Sequence, residues 1–311
     1  MIFPEKLKQG DTVGLAAPAS PVSRERRDEA AALLESMGYR VKMGECLKQL
    51  YNHHGYLAGD ARARAEDINR MFADPALKAI FCVRGGYGSA HIMEYLDYGL
   101  ISRNPKIFVG YSDLTNLHSA FNKICGFVTF HGPMTATDML ENFNGYSRES
   151  LKMALEMEPG AKLEFHNPTG TSPIGVIREG QAQGIMTGGN LSLVERSIGT
   201  FYQPDTRDKI LFLEEVGETV PKLDMMITHL EAAGVMRGAA GIVLGNFVGC
   251  DNSRYDGSYH VEDFLRDRFG NYRVPVLYRV ASDHGKPMGT IPMGTVCRLD
   301  GEGGRLFFQR E

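Results

Sequence analysis

The chain has 311 residues, 43% of them hydrophobic and 23% charged, which is the composition of a globular protein large enough to hold two cores. Thirty-four Lys and Arg against 38 Asp and Glu leave a net charge of -4, so there is no cationic footprint for nucleic acid or for an anionic membrane surface. Five scattered cysteines, Cys46, Cys82, Cys125, Cys250 and Cys297, form no CxxC pair. The N-terminus has no basic start followed by an apolar core, and runs such as AGIVLG fall far short of the roughly 18 residues of a membrane helix. These features predict reduced thiols in a soluble, cytoplasmic protein and leave small-molecule chemistry as the favoured class.

Up to about residue 145, short apolar runs alternate with amphipathic segments. TVGLAAP from Thr12, YRVKM, AIFCV from Ala79, KIFVG from Lys106 and FVTF from Phe127 read as strands. Helices are predicted from Ser23 to Met37, after Asp60, after Gly88 and after Ser112. Such alternation implies a parallel sheet covered on both faces. Ser23 is placed to cap its helix and Gly38 to end it in a left-handed turn. The expected first domain is therefore 1–145. Residues 146–180 include the Gly/Pro-rich stretch EPGAKLEFHNPTGTSPIGVIREG and read as the crossing to a second domain, 181–311. There KILFLEEV, GIVLGNFVG, VLYRV, TVCRL and RLFFQ predict more strand than helix, in a curled or barrel-like sheet.

In KIFVGYSDLTNLHSAFNK an apolar strand ends at Gly110, a helix starts near Asp113, and Ser112 occupies the turn between them. A serine there projects from the carboxyl edge of the sheet beside the free N–H groups of a helix start, the logic of a nucleophile elbow. It equally suits a plain helix cap. A second turn, RGGYG at Arg84–Gly88, also follows a buried strand. It lacks the G-x-G-x-x-G of a dinucleotide site, and its glycines serve either a tight turn or a close backbone approach to a ligand. A nucleophilic serine needs a base and a group to orient that base. Of nine histidines, His284 lies in the polar Gly/Pro loop SDHGKPMGTIPMG, whereas the neighbouring pair Glu214 and Glu215 ends an apolar run. Only one of the two glutamates can point into a given site.

Taken in order, LKQGDTVGLAAPAS, RGGYG, GYSDLT, HGPM at His131–Met134, GGNLS at Gly188–Ser192 and LFLEEVGE resemble the murein tetrapeptide L,D-carboxypeptidase family, which includes the microcin-immunity peptidases. The resemblance runs almost end to end. It implies an α/β fold with a flavodoxin-like or glutamine-amidotransferase-like N-terminal domain and a strand-rich C-terminal one. It further implies a serine peptidase of cell-wall recycling that releases D-alanine from murein tetrapeptide, free or on a muropeptide. Carried over, Ser112 is the nucleophile, Glu214 the acid and His284 the base, and the N–H groups of Gly86 and Asp113 hold the oxyanion. The histidine loop departs from the family's pattern, since Ser282 and Asp283 precede His284, and His131 is the rival base. With Ser112 in one domain and Glu214 and His284 in the other, the expected site forms where the domains meet. No metal or other cofactor is expected, in keeping with the lack of an H-E-x-x-H motif. A homodimer is compatible with the sequence. Two alternatives stand beside this reading: a microcin-immunity-type peptidase cleaving a peptidyl-nucleotide, and a non-catalytic peptide-binding module. A chain without tryptophan and without an obvious insertion offers little to stack a base, and a pure binder needs no Ser/Glu/His set.

Overall fold

The apolar runs of the first 131 residues become the strands of one sheet. They are β1 (Thr12–Ala16), β2 (Arg40–Met43), β3 (Leu77–Cys82), β4 (Ile107–Gly110) and β5 (Thr129–His131), and their mutual pairings are all parallel. The computed structural model describes residues 1–143 and 145–311, which divide into two units. The first comprises Met1–Met157 with Thr290–Pro292. A late strand, β12 (Ile291–Met293), completes its sheet in the order β12-β5-β4-β3-β1-β2. β4 is wholly buried and β3 nearly so, which is why both read as continuous apolar runs and not as alternating ones.

The helices of this unit are α1 (Arg24–Ser36), α2 (Glu45–Lys48), α3 (Ala61–Ala73), α4 (Tyr98–Arg103), α5 (Thr115–Ala120), α6 (Asp138–Asn142) and α7 (Gly145–Leu155). Ser23 caps α1 by accepting the Arg26 N–H, and the helix stops at Gly38 with φ +91°. Asp60 caps α3 through the Ala63 N–H. The segment after Gly88 is a 3-10 helix, Ser89–Tyr95, and the one after Ser112 opens with a 3-10 turn and closes with a π turn, Phe121–Cys125. Phe72, Phe108, Phe121 and Phe127 meet in the core at ring separations of 5.1–5.8 Å. β1 lies between β2 and β3, so the order of winding reverses there. In such sheets ligands collect at the carboxyl ends of the strands beside that reversal.

The second unit comprises Glu158–Gly289 with Met293–Glu311. Its strands are β6 (Lys162–Phe165), β7 (Gly175–Arg178), β8 (Gln181–Asn190), β9 (Ile210–Val216), β10 (Gly241–Val248), β11 (Val276–Val280), β13 (Val296–Asp300) and β14 (Arg305–Gln309). They form one mixed sheet in the order β6-β14-β13-β8-β9-β10-β11-β7. β8 to β11 pair in parallel, and the strands outside them add antiparallel. β6 and β7 arise within the stretch that reads as a crossing. Helices α8 (Leu191–Arg196), α9 (Val220–Ala232) and α10 (Val261–Phe269) contribute Val194, Leu223, Ile227, Leu230 and Phe264 to a core shared with β9 and β10. Among the described residues no helix is long and apolar enough to cross a membrane.

Candidate active site

In the first unit β4 runs straight into the candidate nucleophile. Tyr111 is fully extended, Ser112 turns to φ +62°, and the chain enters a 3-10 turn that leads into α5. A serine in the left-handed region costs about 1–3 kcal/mol and persists only where surrounding contacts enforce it. Those contacts are present. The N–H of Leu114 donates to the Tyr111 carbonyl, and His118 on α5 places Nε2 2.8 Å from the Gly110 carbonyl. Burial holds the His118 imidazole down at about 4, so it is neutral and donates that Nε2–H. His118 is thus a strut of the elbow.

The RGGYG turn after β3 closes on this elbow through Gly85. A Cβ added at Gly85 would lie 3.0 Å from Ser112 Cβ, 3.2 Å from its Oγ and 3.3 Å from the Asp113 nitrogen, so a larger residue would press on the serine. Gly86, with φ +96°, turns its missing Cβ toward Ser20, whose Oγ would be 2.4 Å away. Ser20 follows β1 and donates its N–H to the Gly85 carbonyl at 3.2 Å, which ties the two strand ends flanking the winding reversal. Asp113 locks the far side of the turn. Its carboxylate accepts the Ser89 N–H at 2.7 Å and its carbonyl accepts the Ser89 hydroxyl at 2.5 Å. Burial raises the Asp113 carboxyl, against the Ser89 hydrogen bonds and the Arg64 guanidinium, which lower it. His131 ends β5 fully buried, its ring centroid 5.5 Å from Tyr111 and 6.4 Å from His118.

The second unit holds the other candidates. Glu214 and Glu215 are both buried near the end of β9. They face different partners, as strand alternation requires. Glu215 accepts the Ser192 N–H at 2.8 Å, the Ser192 hydroxyl at 2.6 Å and the Asn190 amide at 3.0 Å, so the GGNLS segment anchors it structurally. Glu214 Oε2 lies 2.7 Å from His284 Nδ1. A carboxylate there takes the Nδ1–H, fixes the tautomer and leaves Nε2 as the acceptor.

The sequence missed the residues that hold this pair. Gly245 on β10 leaves room for Glu214, since a Cβ there would meet Glu214 Cβ at 2.8 Å. Asp283 is buried and shapes the histidine loop by accepting the Gly285 N–H at 2.5 Å and the backbone and side-chain N–H groups of Asn246 at 3.1 and 2.7 Å. Burial pushes its carboxyl up to about 6, with Glu214 adding to the rise. Ser282 steadies the loop by donating to the Gly289 carbonyl at 3.0 Å. The structure thus brings Ser112, Gly85 and Asp113 together in one unit, and Glu214 with His284 in the other.

Residues 13–132 match the LD-carboxypeptidase N-terminal domain and residues 183–299 the LD-carboxypeptidase C-terminal domain. The probable murein peptide carboxypeptidase of Bacillus subtilis is 38% identical, over 96% of this chain and 91% of that protein. Two solved structures share the fold. The microcin C7 self-immunity protein MccF, in complex with aspartyl sulfamoyl adenosine, matches at a TM-score of 0.91 with 22% identity, covering 100% of this chain and 99% of that one. The muramoyltetrapeptide carboxypeptidase of Oxalobacter formigenes matches at 0.83 with 24% identity, covering 96% and 98%.

Proposed function

The chain belongs to the LD-carboxypeptidase family of peptide-bond hydrolases, and from that premise we propose that it is a serine peptidase releasing the terminal D-alanine from a murein tetrapeptide, free or joined to its muramoyl sugar. Ser112 Oγ attacks the carbonyl on the L-centre of the third residue. His284 Nε2 takes the hydroxyl proton and delivers it to the departing D-alanine nitrogen. Water, deprotonated by the same imidazole, then opens the acyl-serine and restores the hydroxyl. Glu214 keeps the imidazole in the required tautomer and balances its charge while it holds the proton. The N–H groups of Asp113 and Gly86 stabilise the oxyanion. Turnover of wall fragments in the cytoplasm is the setting this assigns.

The observation that carries the reading is the positive φ of Ser112. A side chain held at φ +62° between a buried strand and a helix start, with a glycine turn cleared around its Oγ, is costly for a mere helix cap and is what a presented nucleophile needs. The 2.7 Å Glu214–His284 contact supports the choice of base over His131. Incubation with murein tetrapeptide, with chromatographic detection of D-alanine, tests it. Release by the wild type and none by Ser112→Ala is expected. Hydrolysis of an aminoacyl sulfamoyl adenosine with no action on the tetrapeptide would move the assignment to the peptidyl-nucleotide class.

A further inference from the structure

The RGGYG turn that closes on Ser112 carries an aromatic side chain outward. Tyr87 is 52% exposed, and its ring starts a chain of exposed rings: Tyr56 at 6.0 Å, His54 a further 6.4 Å on, and His53 3.8 Å beyond that. His91 packs edge-on to Tyr87 at 5.3 Å. None of these rings serves the core, and none has a part in the hydrolysis described above. Exposed aromatic surface that is held in place calls for a ligand.

It is held firmly. Residues 53–57 form a tight hairpin in which His53 and Leu57 exchange both backbone hydrogen bonds, at 2.8 and 3.1 Å. His54 at φ +54° and Gly55 at φ +83° make the turn, and a histidine tolerates that conformation only at a cost. Leu57 is buried, its Cδ2 only 2.4 Å from where a Cβ on Gly88 would stand, so the hairpin is seated on the RGGYG turn itself. Beneath it the buried Arg64 donates to the carbonyls of Gly59, Pro18 and Gly88 at 3.0, 2.6 and 2.8 Å. One guanidinium therefore staples the hairpin base, the end of β1 and the nucleophile's neighbouring turn into a single rigid piece.

Resting on the carboxypeptidase reading, we infer that this ring chain is a saccharide subsite that takes the muramoyl sugar of the substrate. The tetrapeptide's N-terminus, where the sugar is attached, lies three residues from the scissile bond, or about 10 Å at 3.3–3.6 Å per extended residue. The ring chain begins two residues beyond Gly85, where an added Cβ would stand 3.0 Å from Ser112 Cβ, and its first ring-to-ring steps of 6.0 and 6.4 Å are on the scale of that length. Its rings are mutually inclined by 49°, 29° and 54°, and the imidazoles set polar nitrogens among the faces. A pyranose suits such a surface, because it offers C–H groups to the electron-rich ring faces and hydroxyls to the nitrogens between them.

The test is the ratio of kcat/KM on N-acetylmuramoyl tetrapeptide to that on the free tetrapeptide. The wild type should favour the sugar-bearing substrate by about tenfold, the worth of one or two good ring contacts. Tyr56→Ala combined with His54→Gly, which fits the positive φ, should bring the ratio close to one. A wild-type ratio of one, or a ratio that the double variant leaves unmoved, overturns the subsite. Saturation-transfer NMR of N-acetylmuramoyl tetrapeptide on the Ser112→Ala protein reads the same contact without turnover. Transfer to the sugar protons that Tyr56→Ala abolishes supports it, and transfer confined to the peptide overturns it, as does displacement of the sugar signal by adenosine monophosphate at lower concentration than by free muramic acid. The two readings fail separately. Sugar binding through Tyr56 with no D-alanine released faults the carboxypeptidase assignment, whereas D-alanine release at a ratio of one faults only the subsite.

Discussion

Glu214 and Glu215 are consecutive, both buried, and bound to opposite neighbours: Glu214 to His284 at 2.7 Å and Glu215 to Ser192 at 2.6 Å. One strand step separates a carboxylate available for chemistry from one committed to the fold. Glu214→Gln keeps the shape but no longer balances an imidazolium, so kcat should fall by about 10³–10⁴ while the unfolding midpoint moves little. Glu215→Gln gives up charge-assisted bonds to a backbone N–H and a hydroxyl and should cost about 1.5–3 kcal/mol of stability. Urea unfolding and D-alanine release, run on both variants, separate the two roles. Equal kinetic losses with equal stability would refute the division.

Gly85→Ala places a methyl 3.0 Å from Ser112 Cβ and 3.2 Å from its Oγ, against backbone that is already fixed by Ser20 and Asp113. The serine must give by a few tenths of an ångström. A 1 Å misplacement at a reacting atom costs on the order of 10²-fold in rate, so this smaller shift should lower kcat by about tenfold, with circular dichroism unchanged. Wild-type kcat would show that the turn does not bear on the nucleophile.

The sequence made most of the first sheet legible because β1, β3, β4 and β5 are almost wholly buried and read as apolar runs, while caps such as Ser23 and Asp60 mark the helices between strands. β6 and β7 were not legible. They are short, half-exposed strands at the ends of a sheet, and no alternation distinguishes them from the glycines and prolines around them. The strand-to-helix turn pointed to Ser112, yet adjacent glycines look alike in sequence, and backbone torsion alone makes Gly85 the one that faces it. His284 needed the family resemblance. Asp283 and Asn246, which shape its loop, carry no local signal, because their pairing joins residues 37 apart. The burial of Glu214 and Glu215 depends equally on distant partners.

Asp283 offers a pH test. Its folded carboxyl, near 6, lies above the ordinary value of 3.8, chiefly through burial. Between these values the folded protein binds more protons than the unfolded chain, so stability falls as pH rises through that window. The loss from this group is complete above about pH 6 and amounts to roughly 3 kcal/mol at most, at 1.36 kcal/mol per unit. Denaturant midpoints at pH 4, 5, 6 and 7 should therefore decline more steeply for the wild type than for Asp283→Asn, which has no proton to lose. Parallel profiles would show that Asp283 ionises as freely in the fold as in the unfolded chain.

Ser112 is the residue at which stability and activity should part most clearly. Its φ of +62° is one that glycine adopts without penalty and alanine does not. Ser112→Ala removes the hydroxyl and retains the strained backbone, so it should unfold close to the wild type. Ser112→Gly removes the hydroxyl and the strain together. It should be more stable than Ser112→Ala by about 1 kcal/mol, after the greater freedom of glycine in the unfolded chain is set against the relief. Both should release no D-alanine above background, because the acyl-enzyme has no oxygen on which to form. Thermal unfolding alongside a D-alanine assay distinguishes the cases. A glycine variant less stable than the alanine one would mean that the positive φ costs nothing here, and residual turnover in either would place the nucleophile elsewhere.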